Sequence, residues 1–157
     1  MTPAINAAKK AKIAYTVHQY VHDPTAGSFG REAAEKLGLD EARVFKTLVV
    51  ELENGALTVG IIPVSAMLSM KQLARAAGAK KAAMADKSSV ERATGYVLGG
   101  VSPLGQKKRL PTFIDTSATT FLTIFVSAGR RGLEIELKPA DLAGLTGAAF
   151  AELIEVK

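Results

Sequence analysis

Lys46 stands where a strand should carry an apolar side chain. In Val44–Gly55 (VFKTLVVELENG) the chain reads as a strand entering a turn at Asn54-Gly55, and ALTVGIIPV reads as its return. A two-residue turn sets Glu53 opposite Ala56, Leu52 opposite Leu57, Val50 opposite Val59 and Leu48 opposite Ile61. Because strand side chains alternate, Leu48, Val50, Leu52, Leu57, Val59 and Ile61 then share the core face, and Lys46 has their parity. Two readings are open. The lysine can pack its methylenes and snorkel its ammonium to the rim, or it can be a cation at a pocket mouth, aimed at an anionic or carbonyl oxygen.

The loop Gly99-Gly100-Val101-Ser102-Pro103-Leu104-Gly105 is the second feature. Glycines after a strand let the backbone approach a ligand and aim N–H groups at an anion or developing oxyanion. A wide turn between strands would look the same. It is not a phosphate-binding P-loop, since no Gly-Lys-Ser/Thr closes it. Beside it lie Lys107, Lys108 and Arg109, and the turn SAGRRG sets Arg130 and Arg131 close to Ser127. His18 and His22 flank Tyr20, with no nucleophile elbow to pair with, and read as surface or loop histidines. Glu134 and Glu136 share one face of LEIELK, opposite Leu133, Ile135 and Leu137, as on a half-exposed strand.

These side chains need a scaffold, and 157 residues suffice for one domain, 1–157, with a core. The absence of cysteine removes disulfides, thiolate metal sites and a thiolate nucleophile. No apolar run approaches bilayer length and lysines occupy the place of a signal peptide's apolar region, so a cytoplasmic protein is expected. A net charge of +5, clustered in short runs, suits a polyanionic partner as well as a merely basic surface.

The elements follow from caps and periodicity. Pro3 opens a helix to about Lys12; a strand covers Ile13–Tyr20; Ser28 caps a helix that stops at Gly38. After the hairpin, Ser69 and Asp86 cap two helices stopped by Gly78 and Gly95, with a short strand in AKKAAMA between them. GYVLGG is expected as a short strand, followed by strands near Pro111–Asp115, in TTFLTIFVS and in LEIELK; Pro139 starts a helix that breaks near Thr146-Gly147. Helices interleaved with hairpin-connected strands predict an α+β domain with a mainly antiparallel or mixed sheet, not a βαβ dinucleotide fold.

FKTLVV, GAKKAAMAD, TGYVLGGVSPLGQKKRLPTFID and VSAGRRGLEIEL together resemble the YbaK family of bacterial trans-editing proteins, over nearly the whole chain. Its superfamily includes the editing insertion of bacterial prolyl-tRNA synthetase, and the chain looks closest to the Cys-tRNA(Pro) deacylase branch. The resemblance implies a curved, mixed, mostly antiparallel sheet or barrel-like core surrounded by helices. It also implies no metal, no organic cofactor, a mischarged tRNA substrate, prolyl-tRNA synthetase as a partner and a monomer. Carried over by position, it implies catalytic roles for Lys46, Gly99 and Gly100, and substrate contacts for Tyr20, Phe29, Ser127 and Glu134, where aspartate is common in the family. Lys107, Lys108, Arg109, Arg130 and Arg131 are then expected on the tRNA backbone. A deacylase for another small residue, such as alanine on tRNA(Pro), or a non-catalytic tRNA- or synthetase-binding module are the alternatives.

Overall fold

The computed structural model describes residues 1–156, with the side chain of Phe29 outside the described residues. The described helices are α1 (Pro3–Ala11), α2 (Phe29–Leu37), α3 (Met70–Ala76), α4 (Lys87–Thr94) and α5 (Pro139–Thr146). Short 3-10 turns cover Glu41–Arg43 and Thr116–Thr120. Local chemistry sets most boundaries. The side chains of Thr2, Ser69 and Asp86 accept the backbone N–H groups of Ile5, Gln72 and Ser89 at helix starts, and Gly38, Gly95 and Gly147 end helices in the left-handed region.

The strands are β1 (Tyr15–Gln19), β2 (Phe45–Leu52), β3 (Leu57–Pro63), β4 (Ala82–Met84), β5 (Thr112–Asp115), β6 (Ile124–Arg130), β7 (Leu133–Leu137) and β8 (Ala149–Ala151). They form an antiparallel three-stranded sheet, β1-β7-β6, and a mixed five-stranded sheet, β4-β2-β3-β5-β8, in which β5 runs parallel to both its neighbours. The expected α+β class holds, but the strands do not close into a barrel. An isolated bridge between Val44 and Phe125 joins the two sheets at one corner.

The hairpin register differs from the expectation by one residue. Glu51 pairs with Leu57, Val49 with Val59, Thr47 with Ile61 and Lys46 with Ile62. Leu52 N–H reaches Ala56 O at 2.8 Å, so Glu53-Asn54-Gly55 is a three-residue loop, with Gly55 at φ +86°. That slip exchanges the faces. Phe45, Val49, Val59 and Ile61 enter the main core, with Ile124, Val126, Leu133, Ile135 and Leu137 of the other sheet. Val50 and Ile62, with Leu48 beside them, pack instead against Leu73 of α3 and Leu153. Lys46 therefore has the parity of this second apolar layer, not of the main core.

GYVLGG forms no strand. Residues 96–111 are turns and irregular chain, built as a folded object rather than a slack connection. The buried Tyr96 hydroxyl donates to Leu104 O at 2.5 Å, and the Ser102 side chain accepts the Leu104 N–H. Gly105, at φ +67°, lies so close to Pro3 that a Cβ would come within 2.5 Å of the Pro3 carbonyl oxygen. The segment after α5 adds β8 to the sheet edge, and Asp115 accepts the Leu153 N–H at 3.0 Å.

Candidate active site

A cavity of about 310 Å³ opens between β2, the start of α2, the β6–β7 pair and the glycine loop. It lies at the small end of the range of ligand pockets, about 300–1,000 Å³. Tyr20, Lys46, Gly99, Ser127 and Glu134 line it together, although they come from parts of the chain more than a hundred residues apart. Arg130 and Arg131 line it as well, and Leu98 and Val101 contribute apolar wall.

The start of helix α2 and the loop before it form one wall of this half-open site. Ala33 and Ala34 pack with Val44, Val64 and Phe125 over the outer face of the three-stranded sheet. The approach is close enough that a Cβ on Gly30 would lie 2.3 Å from Val64 Cγ1. The loop before α2 is tied down by Glu32, whose carboxylate meets His22 Nδ1 at 2.7 Å and accepts the Asp23 N–H at 2.6 Å. Both histidines thus have structural partners. His18 Nε2 lies 2.9 Å from Glu136, which also accepts the Thr123 hydroxyl, and the His18 ring packs at 5.1 Å on Phe125. Neither histidine lines the cavity.

Covering that face corrects the reading of Glu134. Alternation paired it with Glu136 on a half-exposed face, yet Glu134 is only 6% exposed while Glu136 keeps contact with solvent. Glu134 pairs in register with His18 of β1 and Ser127 of β6. Its carboxylate has no hydrogen-bond or ion-pair partner among the described residues, and burial pushes it up to about 8. Tyr20 is raised in turn, first by its own burial and then by the Glu134 charge. At Glu136, burial is outweighed by the hydrogen bonds from Thr123 and His18, which hold it below the ordinary glutamate range.

Lys46 is half-buried, and burial followed by the charge of Arg31 lowers it from the usual lysine value. It makes no ion pair among the described residues. A desolvated cation facing another cation is a site in want of an anion. Its neighbour Thr47 is the residue that sequence reasoning missed: its buried hydroxyl has no partner among the described residues, and it lines the same cavity. Only its adjacency to Lys46 could have pointed to it.

The two glycines divide their tasks. Gly99, at φ +93°, lines the cavity. The Gly100 N–H already donates to Val97 O at 2.9 Å, which removes it as an oxyanion donor. Gly100 serves packing instead, because a Cβ there would sit 2.9 Å from Arg130 Cα. That close contact, with the Arg131 side chain donating to Leu98 O at 3.0 Å, clamps the glycine loop to the β6–β7 turn. The Ser127 hydroxyl accepts the Gly129 N–H at 3.1 Å within that turn. Phe29 begins α2, and its side chain lies outside the described residues.

The remaining basic residues do not converge on this cavity. Lys107 and Lys108 are pinned by their backbone N–H groups to Thr94 and Ala93, at the end of α4, and hold exposed side chains. Lys108 and Arg109 line a second depression of about 250 Å³. Among the described residues no three His, Asp or Glu side chains group to hold a metal, and no helix is long and apolar enough to cross a membrane.

Residues 23–145 match a family model described as an aminoacyl-tRNA editing domain. Over 152 residues the chain is 38% identical to EbsC of Enterococcus faecalis, named as a candidate Cys-tRNA(Pro)/Cys-tRNA(Cys) deacylase, covering 97% of this chain and 92% of that protein. Among solved structures, one described as a candidate trans-editing enzyme for prolyl tRNA synthetase superposes with a TM-score of 0.85 at 24% identity, over 98% of this chain and 96% of that one. The hypothetical protein APE2540 superposes with a TM-score of 0.86 at 25% identity, over 98% and 99% of the two chains.

Proposed function

The chain belongs to the aminoacyl-tRNA editing domain family, and from that premise we propose that it is a trans-editing deacylase that removes cysteine from Cys-tRNA(Pro) and also acts on Cys-tRNA(Cys). The observation that carries the proposal is the composition of the cavity. Among the described residues it is lined by an unpaired cation, Lys46, and by loop backbone at Gly99, but by no histidine to activate Ser28 or Ser127. Such a site can bind and polarise an ester that brings its own nucleophile.

In the proposed reaction the cysteine thiol sulfur attacks the carbonyl carbon of its own ester. The bond to the tRNA 3′ oxygen breaks, the thiol proton passes to that oxygen, and water then opens the resulting thiolactone to free cysteine. Holding thiol and ester together makes the attack intramolecular, with a correspondingly large gain over a bimolecular step. The Gly99 N–H is the candidate oxyanion donor, a role worth about 2.7–4 kcal/mol where it has been measured. Lys46 neutralises the charge on the ester oxygens or the terminal phosphate. Tyr20 bounds the amino-acid pocket and excludes the prolyl ester. Arg130 and Arg131, at the cavity, meet the acceptor end; Lys107, Lys108 and Arg109 meet the tRNA backbone farther along. Prolyl-tRNA synthetase is the proposed partner of a monomeric, cytoplasmic enzyme.

A panel of mischarged tRNAs tests this reading. Release of cysteine, with Ser-tRNA(Pro) left intact, is the expected result. Equal cleavage of the serine ester, which lacks only the thiol, refutes thiol assistance. Preference for Ala-tRNA(Pro) changes the substrate, and binding without cleavage makes the protein a tRNA-binding module.

A further inference from the structure

Glu134, which the family resemblance implies as a substrate contact, is the one buried ionisable group of the cavity to which the deacylation scheme assigns no group of the substrate. Its carboxylate sits mid-strand in a three-stranded sheet, 6% exposed, and lines the cavity. Buried polar groups are nearly always partnered, yet Glu134 has neither a hydrogen bond nor an ion pair among the described residues. The cations lining the same cavity do not neutralise it. Neither Lys46 nor Arg130 makes an ion pair with it among the described residues, and the Arg131 side chain donates to Leu98 O. His18, opposite on β1, is turned to Glu136. The missing partner is therefore a cation or donor that arrives from outside.

Every aminoacyl ester carries such a group, because its α-nitrogen is bonded to the carbon next to the ester carbonyl. With that carbonyl held at Gly99 and Lys46, the α-nitrogen must lie inside the same small cavity. We propose, on the strength of the deacylase reading, that Glu134 receives the α-ammonium group of the aminoacyl ester, so that the site admits free aminoacyl-tRNA and rejects N-acylated and peptidyl esters. An N-acyl group removes the charge and adds bulk where the cavity offers an unsatisfied carboxylate. The contact also couples binding to a proton. Glu134 is held protonated near neutral pH by its burial, and an ammonium beside it favours the ionised form, so the acid releases its proton as the substrate enters. Tyr20, Lys46, Arg130 and Arg131 are the other titratable groups that face this space.

The test uses two stable mimics, the cysteinyl and N-acetylcysteinyl amides of 3′-amino-3′-deoxyadenosine, bound to the full chain in a calorimeter. The free-amine compound is expected to bind about 10- to 100-fold tighter than its N-acetyl counterpart, the worth of a charge-assisted hydrogen bond. Its apparent enthalpy near pH 7 should vary with the ionisation enthalpy of the buffer, reporting the released proton. Glu134→Gln should erase both the preference and the buffer dependence, and Glu134→Asp should restore part of each. Equal binding of the two compounds by the unsubstituted protein, or a preference that survives in the Gln variant, overturns the contact. Failure to bind either compound overturns the deacylase reading and this contact with it.

Discussion

Glu134→Gln should change how stability depends on pH, independently of any substrate. The carboxyl titrates near 4.5 in the unfolded chain and is pushed up to about 8 in the folded one. A raised folded value means that the native state binds the proton more tightly. The contribution to stability is fully present below about 4.5 and is lost as pH rises through about 8; above that both states are ionised and nothing further changes. Within the window each pH step of one costs about 1.4 kcal/mol. Over about three and a half such steps this would total about 5 kcal/mol, and water entering the cavity with local relaxation reduces it to about 2–4 kcal/mol. Glutamine matches the shape and does not titrate. Denaturant unfolding of both proteins, at intervals between about pH 5 and pH 9, should show the Gln variant gaining on the parent across this range. Groups with lowered values, such as Glu32 and Glu136, titrate in acid and are common to both proteins, so they cancel in the difference. Parallel stability curves would mean that Glu134 is solvated and ionised like a surface glutamate, and the burial reasoning would fail.

Lys46→Ala should lower kcat for deacylation at saturating tRNA by about 10²–10³-fold, as expected of a lost electrostatic contact, with Lys46→Arg recovering part of it; an unchanged kcat removes Lys46 from the chemistry. Reversing Lys107 and Lys108 to Glu should weaken tRNA binding and flatten the dependence of log K on log salt by about 0.7–0.9 per lost phosphate contact. An unaltered slope places the tRNA elsewhere. Gly100→Ala should destabilise the fold by about 1–3 kcal/mol in denaturant unfolding, because its Cβ would press on the Arg130 backbone at 2.9 Å. A neutral result would show that the clamp between the glycine loop and the β6–β7 turn is loose.

Much of this molecule is set by local chemistry and was legible on that account. The caps at Thr2, Ser69 and Asp86 and the left-handed glycines at 38, 95 and 147 act within a few residues, so reading them in order recovers the helices. The same holds for the parity of Lys46 and for the unusual glycine loop. In both cases the residues marked themselves by breaking a pattern, a cation among apolar neighbours and a cluster of glycines, although the strand expected before that cluster does not form. The resemblance to a known family then drew these separate oddities into one site.

Tertiary structure decided what local patterns leave open. Asn54-Gly55 fits a two-residue or a three-residue loop, and the packing of Val49, Val59 and Ile61 against the second sheet selects the three-residue one, moving Lys46 to the other face. Alternation placed Glu134 and Glu136 together but could not say that tertiary packing would bury one and leave the other in contact with solvent. Nor could it foresee that Gly100 would spend its N–H on Val97, or that Thr47 would bury a hydroxyl without a partner. Period and propensity act along the chain and determine which way a side chain points. Whether that direction ends in water, in the core or in a cavity depends on elements distant in sequence, and the chemistry of Lys46 and Glu134 is set by that environment.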